Sequence, residues 1–229
     1  MRLRFLFAFA LCTAASCGSD SSTSPATSSS GDGSTSSSNG TNIAVDSAFA
    51  VRSTVVGTSL PAKVRVTLNG TPVLGAAVTW TPATRSGTVS PTASLTDSTG
   101  YATTTWIVGD TVGTQTLTAS ITGASANLVA DVAAGPAATL TKVTADSSAV
   151  VAGASLLLTV RTTDKFGNVV SGVPVTWSSS SGALSLTSTT TGASGQAEVA
   201  FTTTTTPGLA TVTASVVGFG TATFKVVGM

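Results

Sequence analysis

Along most of this chain apolar and polar residues alternate one by one. Leu60, Ala62, Val64 and Val66 are separated by mostly polar neighbours, and Ala76, Val78 and Trp80 continue the pattern. So do Ala102, Thr104 and Trp106, then Leu117, Ala119 and Ile121, then Ala126, Leu128, Ala130 and Val132. A period of two belongs to a strand with one face buried, because successive side chains of an extended backbone point to opposite sides. No segment reads as a helix. The expected elements are strands throughout.

The same succession returns in the second half. Leu156, Leu158, Val160 and Thr162 answer the first run, Val173, Val175 and Trp177 the second, and Ala197, Val199 and Phe201 the third. Val212, Ala214 and Val216, then Ala222, Phe224 and Val226, complete it. Turns fall in register between them: Leu68-Asn69-Gly70-Thr71-Pro72 in one copy, and Asp164-Lys165-Phe166-Gly167-Asn168, one residue longer, in the other. Asn-Gly and Gly-Asn supply the positive φ that tight turns need. An opening strand near residues 43–51 or 140–151 and a weaker strand after each tryptophan bring the total to about seven short strands per copy, the signature of a sandwich. The fold class is therefore all-β, two tandem sandwiches over residues 42–135 and 136–229, each near the commonest domain size. The join at residues 133–138 is short. It predicts end-to-end stacking into a rod of about 70 to 80 Å.

Trp80 and Trp177 close strands of the pattern Gly-x-x-Val-Thr-Trp, and their place resembles that of the core tryptophan of immunoglobulin sandwiches, without the disulfide it usually packs against. Trp106 and Phe201 alternate onto the same inward side, so these four residues are the expected structural core. Adding the Gly/Asn turn, the Thr/Gly-rich hairpins ending at Gly100 and Gly195, and the Thr-Leu-Thr-Ala-Ser and Thr-Val-Thr-Ala-Ser strands, residues 42–229 resemble the bacterial Ig-like domain of the invasin and intimin type. That resemblance implies two Ig-like sandwiches and a stalk-like role. Receptor binding in that family rests on a further tip domain, and the present residues resemble only the stalk.

The first residues differ in kind. Arg2 and Arg4 precede an apolar run, Phe5 to Leu11, and small residues Ala14-Ala15-Ser16, which together read as a signal peptide over residues 1–16. Cys17 follows directly and resembles the lipidated cysteine of a bacterial lipobox, with Ala14 where leucine is usual. The other reading is plain secretion with cleavage near Ser16. Residues 17–41 are rich in Ser, Thr and Gly and too poor in apolar groups to fold, so a disordered tether is expected. Gly18 in place of aspartate implies, by the same resemblance, sorting to the outer membrane.

Composition removes most chemistry. The chain has no histidine, and both of its cysteines, Cys12 and Cys17, lie in the first 17 residues. Ser-His and Cys-His nucleophiles are excluded, and the sandwiches hold no disulfide. Charged residues are only 8%, nearly balanced in sign, which gives no electrostatic basis for nucleic acid. The acidic residues stand singly and read as turn formers and solvated charges; Asp164 with Asn168 is the nearest approach to a calcium loop and reads as turn chemistry. Asn39-Gly40-Thr41 and Asn69-Gly70-Thr71 match the N-glycosylation triplet, a pattern that also arises by chance. Tyr101 reads as a single exposed ring, and Lys63, Arg65 and Arg161 as guards of an open sheet edge.

The expectation is a non-enzymatic, exported cell-envelope lipoprotein with no cofactor, metal or small-molecule substrate. It is anchored to the outer membrane through a lipid on Cys17, at the surface or the periplasmic face, and acts in adhesion or display through a cell-surface protein or glycan. The alternative is a structural spacer with no ligand of its own.

Overall fold

The computed structural model describes residues 37–38, 40–49 and 51–229, the side chains of residues 37, 38, 51, 147 and 148 excepted. The signal peptide, Cys17 and nearly all of the tether lie outside the described residues. The first half forms β1 (Ser37–Ser38), β2 (Thr41–Val45), β3 (Val51–Val55), β4 (Ser59–Leu68), β5 (Thr71–Pro72), β6 (Ala77–Pro82), β7 (Thr88–Ser90), β8 (Ala93–Leu95), β9 (Tyr101–Ile107), β10 (Gly113–Ile121) and β11 (Ala124–Ala133). The second forms β12 (Ala137–Lys142), β13 (Ser147–Val150), β14 (Ser155–Asp164), β15 (Pro174–Ser179), β16 (Ala183–Leu184), β17 (Ser188–Thr190), β18 (Gln196–Thr202), β19 (Gly208–Val216) and β20 (Gly220–Gly228).

These strands build four sheets. In the first half β1-β2-β4-β9-β7, with β5 on β4, faces β3-β11-β10-β6-β8; in the second β12-β14-β18-β16 faces β13-β20-β19-β15-β17. Alternation decides the faces: Leu60, Ala62, Val64 and Val66 of β4 are buried while Ser59, Pro61 and Arg65 between them are exposed. Each pair of sheets closes over its own apolar core, one running from Ile43 to Val132 and the other from Leu158 to Val226. Each half is a β-sandwich with a core of its own.

The opening strand expected near residues 43–51 is two strands in two sheets. β2 pairs antiparallel with β4, and β3 then pairs parallel with β11 on the opposite sheet. β12 and β13 divide in the same way between β14 and β20. At the crossing an aspartate holds the bend: Asp46 accepts from the Ala48 amide at 3.1 Å, and Asp146 accepts from the Lys225 amide at 3.0 Å. One short segment thereby covers a side of both sheets.

The basic residues expected to guard an edge do not lie on one. Lys63 and Arg65 sit on β4 and Arg161 on β14, each an interior strand. Edges β7, β8, β16 and β17 are limited instead by length, at two or three residues. Nor is Tyr101 an open ring. It is half-buried, with the Lys63 ammonium 3.8 Å from the ring centroid and the Arg65 guanidinium 5.6 Å away.

A buried threonine repeats in both sandwiches. The Thr96 hydroxyl donates to the Val73 carbonyl at 2.6 Å and accepts from the Ala76 amide at 2.8 Å; Thr191 does the same with Val170 at 2.9 Å and Val173 at 3.0 Å. Each clamps the turn leading into the tryptophan strand. Thr191→Val keeps the shape but strands the Val173 amide, while the Val170 carbonyl keeps the Thr162 hydroxyl at 2.7 Å, and should cost about 1 to 3 kcal/mol. Thr191→Ser, which keeps the hydroxyl, should recover most of it in urea unfolding, and equal losses for the two variants would refute the clamp.

Candidate functional site: the joint between the sandwiches

The residues singled out in the sequence fall in two different kinds of place. Trp80, Trp106 and Trp177 are each 2% exposed and Phe201 is fully buried. The Trp80 indole donates to the Ser94 hydroxyl at 2.9 Å and the Trp177 indole to the Thr189 hydroxyl at 2.8 Å, so each ring enters the core with its N–H answered by the edge strand beside it. Trp106 reaches the Ser86 carbonyl at 2.6 Å. Phe201 stands in the equivalent place and has no polar group to answer. None of these four reaches a surface where a ligand could be held.

A polar cluster with a built geometry lies where the sandwiches meet. β14 ends at Asp164, and the turn that follows folds its amides back onto that carboxylate. Oδ1 accepts from the amides of Phe166 and Asn168, both at 2.9 Å. Oδ2 accepts from the Asn168 side-chain amide at 2.9 Å and from the Gly135 amide of the connecting segment at 3.0 Å. Four donors on one carboxylate leave it fully engaged. The same Asn168 Nδ2 also donates to the Asp110 carbonyl at 2.8 Å, in the loop after β9. Residues of β14, the connecting segment and the first sandwich are thus tied through one side-chain pair.

Apolar contact completes the joint. Phe166, at the tip of the turn, lies against Gly57, where a Cβ would come 3.4 Å from the ring. Gly57 has φ +73°, so the loop before β4 needs glycine for its backbone as well as for the approach of the ring. Val56 beside it is 6% exposed. The Lys165 ammonium lies over the Phe166 ring, 4.7 Å from its centroid. A cavity of about 300 Å³ remains between Val56, Pro136, Ala137, Asp164 and Phe166.

Electrostatics agree with the geometry. Asp164 is 2% exposed, which corrects its expected place among solvated charges. Burial pushes its carboxyl upward, yet the hydrogen bonds from Asn168, Gly135 and Phe166 outweigh that push and hold it below the ordinary carboxylate value. Asp97 and Asp146 are also held low, the first by the hydroxyl and amides of its own turn, the second by Lys142 and the Lys225 amide. Asp97 serves its own turn, Asp146 joins its bend to β20, and Asp164 reaches the connecting segment as well as its own turn. Among the described residues no group of three or more acidic, histidine or cysteine side chains could hold a metal ion.

The sequence named Asp164 and Asn168 as a turn pair, and they are that. Their second role was not readable, because the acceptors and donors across the joint, Gly135 and Asp110, contribute backbone atoms. One signal was present: Asp-x-x-Gly-Asn stands only in the second copy, where Leu68-Asn-Gly replaces it in the first. The arrangement links the end of β14 to the connecting segment and to the loop after β9.

Residues 137–227 match the family model of the bacterial Ig-like domain (group 1). No curated protein sequence matches the chain. Among solved structures, FdeC, an Escherichia coli adhesin, is 19% identical, with 86% of this chain and 66% of that one covered at a TM-score of 0.56. The D00-D0 domain of intimin is 17% identical over 82% of this chain and 99% of its own, at a TM-score of 0.44. Invasin, a bacterial integrin-binding protein, is 24% identical over 82% and 39%, at 0.39. At these identities the likeness is one of fold.

Proposed function

We propose that this chain is a non-enzymatic cell-envelope protein that presents two bacterial Ig-like domains, divided between residues 135 and 136, as one stiff unit for adhesion or surface display. The observation that carries the reading is the Asp164 joint, whose groups are spent on fixing one sandwich to the next. Stiffness has a use only if something must be held at a distance. The fold likeness to an adhesin from Escherichia coli adds support.

In this reading the signal peptide exports the chain and Cys17 carries a lipid that holds it in the outer membrane. Partners are then a cell-surface protein or glycan met by exposed loops and edges. Cys17→Ser should abolish incorporation of a labelled fatty acid and shift the protein from the membrane fraction to a soluble one. A membrane-bound serine variant would sink the anchor.

Exposure separates adhesion from the alternative, a spacer within the envelope. The test is protease shaving of intact cells that carry a C-terminal epitope tag, with a periplasmic protein as leakage control. Loss of the tag with the control intact is the expected result. Full protection would favour the spacer.

A further inference from the structure

We propose that Asn69-Gly70 is a site of self-modification, at which the side-chain amide of Asn69 is lost as ammonia and the turn is rebuilt through isoaspartate. Asn69 and Gly70 form the two-residue turn between β4 and β5, with φ of +49° and +83°. Positive φ at both places is what a tight hairpin of right-handed strands demands, and Asn-Gly is the pair that adopts it at least cost. Both residues are exposed. The ladder pairs Leu68 with Thr71 and leaves the Gly70 amide outside it. Apart from its chain neighbours, no heavy atom lies within 4 Å of where a Gly70 Cβ would stand, so that side of the turn is open.

An exposed Asn-Gly pair, whose glycine puts no side chain in the way of its own amide, permits an intramolecular attack. The Gly70 nitrogen forms a bond to Asn69 Cγ, the bond from Cγ to Nδ2 breaks, and ammonia leaves with the proton released by the amide. Water then opens the five-membered imide at either carbonyl, giving aspartate or, with the chain rerouted through the side chain, isoaspartate. No oxidant or enzyme is needed. The other described asparagines, Asn42, Asn127 and Asn168, precede Ile43, Leu128 and Val169, whose branched side chains crowd the attacking amide.

The position gives the reaction a structural consequence. Isoaspartate adds a backbone carbon to a turn that has room for two residues, so the pairs Leu68 with Thr71 and Thr67 with Pro72 must separate. Asn69 also packs on Gly40, and its amide donates to the Gly40 carbonyl at 2.9 Å, so the start of β2 is drawn in. Beneath this turn lies a cavity of about 340 Å³ lined in part by Leu68, Val73, Ala76 and Ile121. Its wall would open, and a negative charge would appear at a pole of the first sandwich that now has none in the turn.

Trypsin isolates the site cleanly. Cleavage after Arg65 and Arg85 yields residues 66–85, in which Asn69 is the sole asparagine. The full-length folded protein is incubated in mildly alkaline buffer, digested, and compared with a digest made at time zero. The expected result is a growing fraction of this peptide with the mass gain of an amide-to-acid exchange, split into two chromatographic forms, while the peptides bearing Asn127 and Asn168 stay unchanged. Gly70→Asp, which tolerates positive φ and screens the amide without adding a second asparagine to the peptide, should slow the exchange several-fold at position 69. An unmodified peptide from the folded protein, alongside ready exchange in the same peptide free in solution, would overturn the proposal. It would mean that the turn protects the site.

Discussion

Trp177→Ala should remove about 3 to 5 kcal/mol from the second sandwich, the range found when a large buried aromatic is cut to a methyl. Typical domains hold only about 5 to 15 kcal/mol in total, so this loss approaches unfolding. Three contributions add in the same direction. The ring is 2% exposed and stacks against Phe224 with centroids 6.2 Å apart. Its removal leaves a cavity between sheets that β15 and β19 cannot close, since their ladder pairs Trp177 with Ala214 and so fixes their spacing. The Thr189 hydroxyl loses its donor too. Trp80→Ala should act likewise on the first sandwich, though among the described residues no ring stacks on it. Denaturant unfolding followed by far-UV circular dichroism, which reads the strands of both sandwiches, is the measurement, because the tryptophans left in Trp177→Ala, Trp80 and Trp106, belong to the first core. A midpoint unchanged for Trp177→Ala would refute the packing argument, and Thr189→Val separates the hydrogen bond, worth about 1 kcal/mol, from the ring itself.

How far the fold was legible follows from what each signal depends on. Alternation is a property of one strand and its two sides, so Leu60 to Val66 and Leu158 to Thr162 could be assigned an inward face without knowing their neighbours. Strand order depends on residues far apart in the chain. For that reason Lys63, Arg65 and Arg161 looked like edge guards and lie on interior strands instead, and the crossing at Asp46 and Asp146 was hidden inside what read as one strand. Thr96 and Thr191 were invisible for a different reason. Threonine is common in strands for its shape alone. Nothing in the letters tells a hydroxyl that clamps a turn from one that faces water.

The joint shows the same limit, because Asp164 differs from an ordinary turn aspartate only in what stands across from it. Asp164→Ala should release the two sandwiches from one another and cost about 2 to 4 kcal/mol, since four N–H groups lose a charged acceptor and the Gly135 amide sits beside a buried carboxylate site. Acid should do the same to the unaltered protein. The folded carboxyl is held below its ordinary value of 3.8, so its contribution is fully present above that value and is lost as pH falls through the lower folded one. Asp97 and Asp146 are held low as well and fade in the same acid window, which leaves a residual slope in the variant. Distances between spin labels placed one on each sandwich separate a loosened joint from a destabilised fold. At neutral pH the unaltered chain should give one narrow distribution, and Asp164→Ala a broad one while both sandwiches stay folded. The unaltered chain should broaden in turn only below the ordinary carboxylate value. A narrow distribution in Asp164→Ala would mean that Phe166 on Gly57 and the shortness of the connecting segment hold the joint unaided, and the carboxylate would then be a turn former alone.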